Sequence, residues 1–274
     1  MRVEVNVLGG LQATAAGKSF VPTASKVRQV LALLAMRAGK VVSVSDMMEE
    51  IWGDALPRSV STTLHTYISH LRRRLEMALL DQPCSAKEIL VTEHNGYLLD
   101  IDQDGVDAYR YDELSTQGRR AAEAGDYVTA ARILRAANDV WRGPALADVT
   151  VGSQLEIEVL RYEESRLNDL ELRIEAELRL RRHHLLLDEL AVVCAQHPML
   201  ENFHAQYMLA LYRSNRQSRA LGVYRQLHST IKNEIGLDPA PRLRQLHQAI
   251  LVGDPALDDP DFTGSGWRSA AGVG

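Results

Sequence analysis

Cysteine is almost missing from this chain of 274 residues: Cys84 and Cys194 lie far apart and match no metal-ligand spacing. That excludes a disulfide framework and a thiolate zinc site, and predicts a reducing, cytoplasmic setting. Aromatic residues make up only 5%. With Leu and Ala abundant, the composition leans towards helix. No apolar run approaches the length that spans a bilayer, so no membrane is expected as a partner. The opening Met1-Arg2-Val3-Glu4-Val5-Asn6 is polar at alternate positions and does not read as a secretory leader. No phosphate-cradling GxxxxGK[ST], HExxH or GxSxG motif occurs, so no catalytic residue, no metal and no cofactor is assigned. The chain is not expected to be an enzyme.

Two stretches imitate metal sites. Asp100-Ile101-Asp102-Gln103-Asp104-Gly105 begins like a calcium loop, yet its twelfth position is Tyr111 where a bidentate Glu belongs. It reads as an acidic linker. His183-His184 lies between Arg182 and Leu185 with no third ligand at a known spacing, and reads as a solvated or packing pair.

The most informative absence is local. Residues 55–75 contain no Asp or Glu. Within 57–76, Val60, Leu64, Ile68, Leu71 and Leu75 recur at helical spacing, so one stripe faces a core. The opposite side carries Thr62, Thr66, Ser69, His70 and Arg73, with Arg72 and Arg74 on the flanks. A solvated helix face usually mixes both signs of charge. This one offers hydroxyls, imidazoles and guanidiniums, which suit the acceptor-rich, negatively charged major groove of DNA. The bland alternative is a basic solvated face on an ordinary helix, and the surroundings decide between them.

The net charge of −5 looks unsuited to a polyanion. Its distribution removes the difficulty. Residues 1–102 hold 11 Lys+Arg and 11 Asp+Glu, so the whole negative excess lies in the later part. A neutral first part with an acid-free helix can bind nucleic acid, whereas an acidic second part is not expected to.

Taken in order, Val3, Val5 and Val7 alternate with polar residues, and Gly9-Gly10 and Gly17-Lys18 mark turns. Residues 3–21 therefore read as a small antiparallel sheet. From 24 to 38 the pattern turns helical through Val27, Val30, Leu31, Leu34 and Ala38, with Gly39 as the stop. Ser43 or Ser45 can cap a second helix holding Met47, Met48, Ile51 and Trp52. After the acid-free helix, apolar runs at 89–92 and 97–101 flank His94-Asn95-Gly96, a hairpin signal. Strands, three helices and a hairpin make a winged helix-turn-helix, in which the third helix enters the groove and the hairpin reaches the backbone. The runs TTLHTYISHLRRRLE and ILVTEHNGYLL resemble the output domain of OmpR/PhoB-type regulators.

Beyond 103 the character changes. Gly125, Asp126, Tyr127, Ala130, Leu134 and Ala137 match the second half of a tetratricopeptide unit. Asn215, Ala220, Tyr224 and Leu227 repeat the offsets, and His183 with Val192 and Ala195 does so faintly. A longer helix is expected between them, from about 154 to 182. The stretch 234–241 breaks the helix before a last one ending near Leu251. The fold class expected is mainly α with small β-sheets. It divides into an OmpR/PhoB-type winged-helix domain over 1–102, tetratricopeptide-like helical repeats over 103–252, and a disordered tail over 253–274.

A winged helix followed by repeats closing on EIGLDPAPRLRQLHQAIL, with KVRQVLALLAMRAGKVVSVSDMMEEIWG and LADV, resembles the small members of the Streptomyces antibiotic regulatory protein family. These join an OmpR-like domain to a bacterial transcriptional activation domain. The resemblance covers about residues 3–252. It implies an activator of a secondary-metabolite gene cluster that binds direct repeats in double-stranded promoter DNA and contacts RNA polymerase holoenzyme. A second protomer on the tandem half-site is implied as well. Larger members carry an appended ATPase region. The chain ends before any such region, so no ATP hydrolysis is expected. No receiver domain precedes the winged helix, so aspartyl phosphorylation is not the expected switch.

The residues expected to touch DNA are Arg58, Thr62, Thr63, Thr66, Ser69, His70, Arg72, Arg73 and Arg74, with His94 and Asn95 at the wing. Thr66 is central and its methyl can meet a thymine methyl. Arg73 or Arg72 could take a guanine bidentately, while His70, Arg74, Thr62 and Thr63 suit phosphates. Leu64 and Tyr67 are expected in the core or an interface. The competing class is a helical-repeat adaptor whose winged domain makes protein contacts. Such an adaptor has no need to exclude Asp and Glu over twenty positions.

Overall fold

The structure, a computed structural model, describes residues 2–53, 55, 60–80 and 82–262. Strands β1 (Val3–Asn6), β2 (Gln12–Ala15) and β3 (Lys18–Ser19) form an antiparallel sheet in that order. Val3, Val5, Ala13 and Ala15 face inwards from it. Ala16 and Gly17, both at positive φ, make the two-residue turn between β2 and β3. Helix α1 (Ser25–Met36) is buried without a break from Gln29 to Met36. Strand β4 (Val41–Ser43) leads into α2 (Val44–Trp52), which Ser43 caps by accepting from the Asp46 amide at 3.0 Å. Then come α3 (Val60–Ala78), α4 (Ala86–Ile89), β5 (Leu90–Glu93) and β6 (Gly96–Leu99).

The wing is three-stranded, in order β4-β6-β5. Strand β4 escaped the sequence reading because three residues show little alternation. Its passage explains Gly96. A Cβ there would lie 2.5 Å from the Val42 carbonyl oxygen, so no larger residue fits beside β4. The left-handed turn position is instead Asn95, at φ 65°.

Helices α5 (Asp107–Glu123), α6 (Tyr127–Asn138), α7 (Ser153–Arg179), α8 (Leu187–Gln196), α9 (Glu201–Arg213), α10 (Gln217–Ile235) and α11 (Pro241–Val252) follow. The chain packs as two compact units, residues 1–116 with 136–167, and residues 117–135 with 168–274. Residues 103–116 and 136–167, which residue type alone assigns to the repeats, thus complete the core around the winged helix. Tyr111, Trp141, Leu146, Leu155 and Tyr162 are buried in that same core.

Polar groups explain why. Glu50 of α2 is 2% exposed. Its carboxylate accepts from the amides of Gly152 at 2.6 Å and of Gln154 and Leu155 at 2.9 Å, capping α7. The Gln29 side-chain amide donates to the same carboxylate at 2.8 Å. A Cβ on Gly152 would sit 2.0 Å from the Glu50 carbonyl oxygen, so this contact requires glycine. Asp107 at the start of α5 accepts from the amides of Val7 at 2.7 Å and Leu8 at 3.0 Å. Burial pushes its carboxyl above the ordinary range, and these donors, with Arg142, pull it back. Asp148 accepts from the Leu11 amide at 2.7 Å and pairs with Arg28. The presumed acidic linker folds in the same way: Gly105 lies so near Val3 that a Cβ would fall 2.4 Å from its carbonyl oxygen, and Val106, fully buried, bridges to Val5.

In the second unit, helical hairpins turn at Gly125, Asn215 and Gly236, all at positive φ. Ala130, Leu134, Ala220 and Leu227 are buried as repeat residues should be. Tyr224 stacks on His247 with ring centroids 3.9 Å apart. The faint third match does not hold at Val192, which is 55% exposed; α8 buries Leu187, Leu190, Val193 and Cys194 instead. Of the tail expected to be disordered, residues 254–262 are ordered. Leu257 is fully buried in a 3-10 turn at Pro255–Asp258, and Arg213 donates to the carbonyls of Leu257 at 2.8 Å and Phe262 at 2.7 Å. Polar composition hid one apolar anchor and one cation able to satisfy the backbone. Residues 263–274 lie outside the described residues.

Replacing Glu50 strands the buried Leu155 amide and removes the acceptor of the half-buried Gly152 and Gln154 amides. Glu50→Ala should lower unfolding free energy by about 3 kcal/mol in urea titrations, within the range for orphaned buried donors and a lost charged acceptor. A loss well under about 1 kcal/mol would show that the cap contributes little.

Candidate nucleic-acid interface

Helix α3 holds the site together. Leu64, Ile68, Leu71, Leu75 and Ala78 are buried on one side, each worth roughly 1.5–3 kcal/mol for the larger side chains if fully removed from water. Tyr67 is half-buried and stacks on Trp52 of α2 at 6.0 Å, so it is an interface residue between helices. The buried stripe turns the other side outwards. Thr62, Thr66, Ser69, His70 and Arg73 are all exposed there, and Thr63 is half-buried at the edge. Arg58 lies outside the described residues.

Two of the arginines have prior engagements. Arg72 donates to the Leu90 carbonyl from Nε at 3.0 Å and from a terminal nitrogen at 2.6 Å, and to the Thr92 hydroxyl at 2.7 Å. It braces strand β5 of the wing, whereas Arg73 is exposed. Helical spacing cannot reveal such a contact, because the partner lies eighteen residues away in sequence. Arg74 is half-buried and donates from Nε to the Phe20 carbonyl at 3.3 Å, tying α3 to the end of the first sheet.

Thr66 donates its hydroxyl to the Thr62 carbonyl at 2.9 Å, one helical turn back. What it has left for a base is its methyl group and the hydroxyl lone pairs. His94 and Asn95 are exposed at the tip of the wing, beside exposed Glu93. That acid weakens the attraction of the tip for phosphate.

His65 is a residue the expected set omitted. It is exposed on α3, and its ring meets Tyr97 of β6 edge-on at 6.5 Å. Burial pushes the Tyr97 phenol above its ordinary value, and the neighbouring Arg72 guanidinium opposes this. His65 stands one residue from Thr66 and four from Ser69 and Ser61, so helical spacing could have added it. Among the described residues no group of three or more His, Cys, Asp or Glu could hold a metal ion. No described helix is long and apolar enough to cross a membrane.

Comparison with known proteins identifies the two domains. Residues 17–99 match the family described as transcriptional regulatory protein, C terminal, and residues 106–251 match the bacterial transcriptional activator domain. The chain is 47% identical to regulatory protein DnrI of Streptomyces peucetius over 93% of its own length and 94% of that protein. It is 34% identical to transcriptional regulator RedD of Streptomyces coelicolor, over 97% of this chain and 74% of RedD. Among solved structures, Mycobacterium tuberculosis EmbR in complex with a low-affinity phosphopeptide aligns with a TM-score of 0.84 at 32% identity, covering 96% of this chain and 69% of that one.

The two neighbouring arginines should separate in a melting experiment. Arg72→Ala removes hydrogen bonds that hold the wing and should cost about 1–2 kcal/mol, while Arg73→Ala, exposed, should stay within about 0.5 kcal/mol of the parent chain. Equal melting temperatures for the two variants would show that Arg72 does not brace the wing.

Proposed function

Because the chain belongs to the Streptomyces antibiotic regulatory protein family and carries its transcriptional activator domain, we propose that this regulator of transcription is a sequence-specific, DNA-binding activator of a secondary-metabolite gene cluster. Residues 1–102 are the DNA-binding part and 103–252 the activation part. It works in the cytoplasm, binds direct repeats in double-stranded promoter DNA, and recruits RNA polymerase holoenzyme. The observation that carries the reading is the outward face of α3, exposed and free of acid from Ser61 to Leu75. A face of hydroxyls, imidazoles and one free-standing guanidinium matches the acceptor pattern of a major groove.

Within that face, Thr66 meets a base through its methyl, and Arg73 takes a guanine bidentately. Thr62, Thr63, Ser69, His70 and Arg74 touch phosphates or the groove edge, with Arg58 at the approach to the helix. His94 and Asn95 at the wing contact the neighbouring backbone by hydrogen bonds without a strong charge. Two protomers on half-sites one helical turn apart, about 10–11 bp, would occupy one face of the duplex. Contact between neighbouring protomers would then make binding cooperative.

On promoter DNA, Thr66→Ala should relax discrimination at one base position by roughly 1 kcal/mol. Arg74→Ala should weaken every sequence alike and flatten the salt dependence by about one phosphate contact. Equal losses on specific and random DNA for Thr66→Ala would remove its base-reading role.

Cooperativity is measured separately. The full chain on two half-sites should bind more tightly than the product of two single sites. It should also raise transcription by purified polymerase. Full activation by residues 1–167 alone, which keep the whole of the first core, would remove the activation role from the later helical repeats.

A further inference from the structure

Helix α9 packs against both α8 and α10 and floors the gap between them. Helix α8 turns Ala191, Cys194 and Ala195 towards that gap, one face of small side chains at helical spacing. Val223 and Leu227 line it from α10. The small residues leave a cavity of about 310 Å³, within the size range of small-molecule sites. No Asp, Glu, Lys or Arg lines it.

His204 and Tyr207, 7% and 6% exposed, form the floor from α9. The Nδ1 atom of His204 lies 3.0 Å from the Leu200 carbonyl oxygen. A carbonyl can only accept, so Nδ1 carries the proton of the neutral ring. Burial favours that neutral form and lowers the readiness of the ring to take a second proton. The remaining lone pair, on Nε2, has no partner among the described residues. That nitrogen is not sealed from solvent, so its lone pair is open to a donor group that enters the uncharged gap.

We propose that the gap between α8 and α10 is a binding site for an uncharged, mostly apolar small molecule of one or two rings that bears a hydroxyl or N–H donor for His204 Nε2. Val223, Leu227 and the small side chains of α8 supply apolar contact, Gln226 and Thr230 add uncharged polar groups, and the imidazole acceptor supplies the selection for a donor. A charged ligand would have no counter-ion in the walls and would have to shed its hydration. The site is separate from the α3 face and does not depend on how that face is used.

The test uses the full chain with 2-naphthol and its methyl ether, 2-methoxynaphthalene, as probes, followed by fluorescence titration. The expected result is saturable binding at one site per chain, with the ether about five- to tenfold weaker because it lacks the donor. His204→Phe should keep binding but erase the difference between the two probes. Ala191→Phe and Ala195→Phe, which fill the gap, should abolish binding of both. Should the filled variants not fold, 2-naphthol should slow the reaction of Cys194 with N-ethylmaleimide, with Cys84 as internal reference. No saturable binding in the millimolar range, binding indifferent to the filling substitutions, or unchanged Cys194 reactivity at saturating probe would overturn the proposal.

Discussion

A carboxylate removed from water must find donors, and Glu50 finds them on a segment that begins a hundred residues further along the chain. Its oxygens serve the first amides of α7 as a cap residue would, but from another helix altogether. The amides are the donors a helix start cannot satisfy by itself, and their partial positive charge suits an anion. Because Gln29 of α1 donates to the same carboxylate, one group fixes three helices at once. The outward face of α3 depends on this arrangement, since α3 packs its buried stripe on α1 and α2.

The acidic residues of the first unit share this duty. Asp107 receives the amides of Val7 and Leu8, and Asp148 receives that of Leu11. The loop after β1 therefore has its backbone satisfied by side chains from far along the sequence, where a free-standing sheet would leave it to water. Charge counting had placed the negative excess in the later part of the chain. Part of that excess is consumed as internal acceptors.

Periodicity carried the reading a long way. The buried stripe of α3, the outward row around Thr66, the wing hairpin and the helical hairpins turning at Gly125 and Asn215 all follow from local spacing. What escaped has a common cause. Arg72 could not be told from Arg73 by position on a helix, because its partners are carbonyl and hydroxyl oxygens on β5. Gly96 was read as a turn residue when its small size answers to the passing of β4. The segment after Asp102 looked like linker because its contacts, Gly105 against the Val3 backbone and Asp107 on the amides of Val7 and Leu8, are made with residues about a hundred positions away. Residues 254–262 looked disordered because polar composition hides a single buried leucine and an arginine that gathers carbonyls. Local patterns describe which way a residue faces; they do not describe what it meets.

The brace between Arg72 and β5 makes the helix and the wing a single caliper. Its two points of contact cannot spread or close without breaking bonds to Leu90 and Thr92. If α3 lies in one groove and the wing rests on the next stretch of backbone, the protein sets the distance between them and the duplex must meet it. Sequences whose natural groove width already matches bind at no deformation cost, and stiffer or wider ones bear it. Discrimination would then reach base pairs that no side chain touches, through a guanidinium that itself never reaches the DNA.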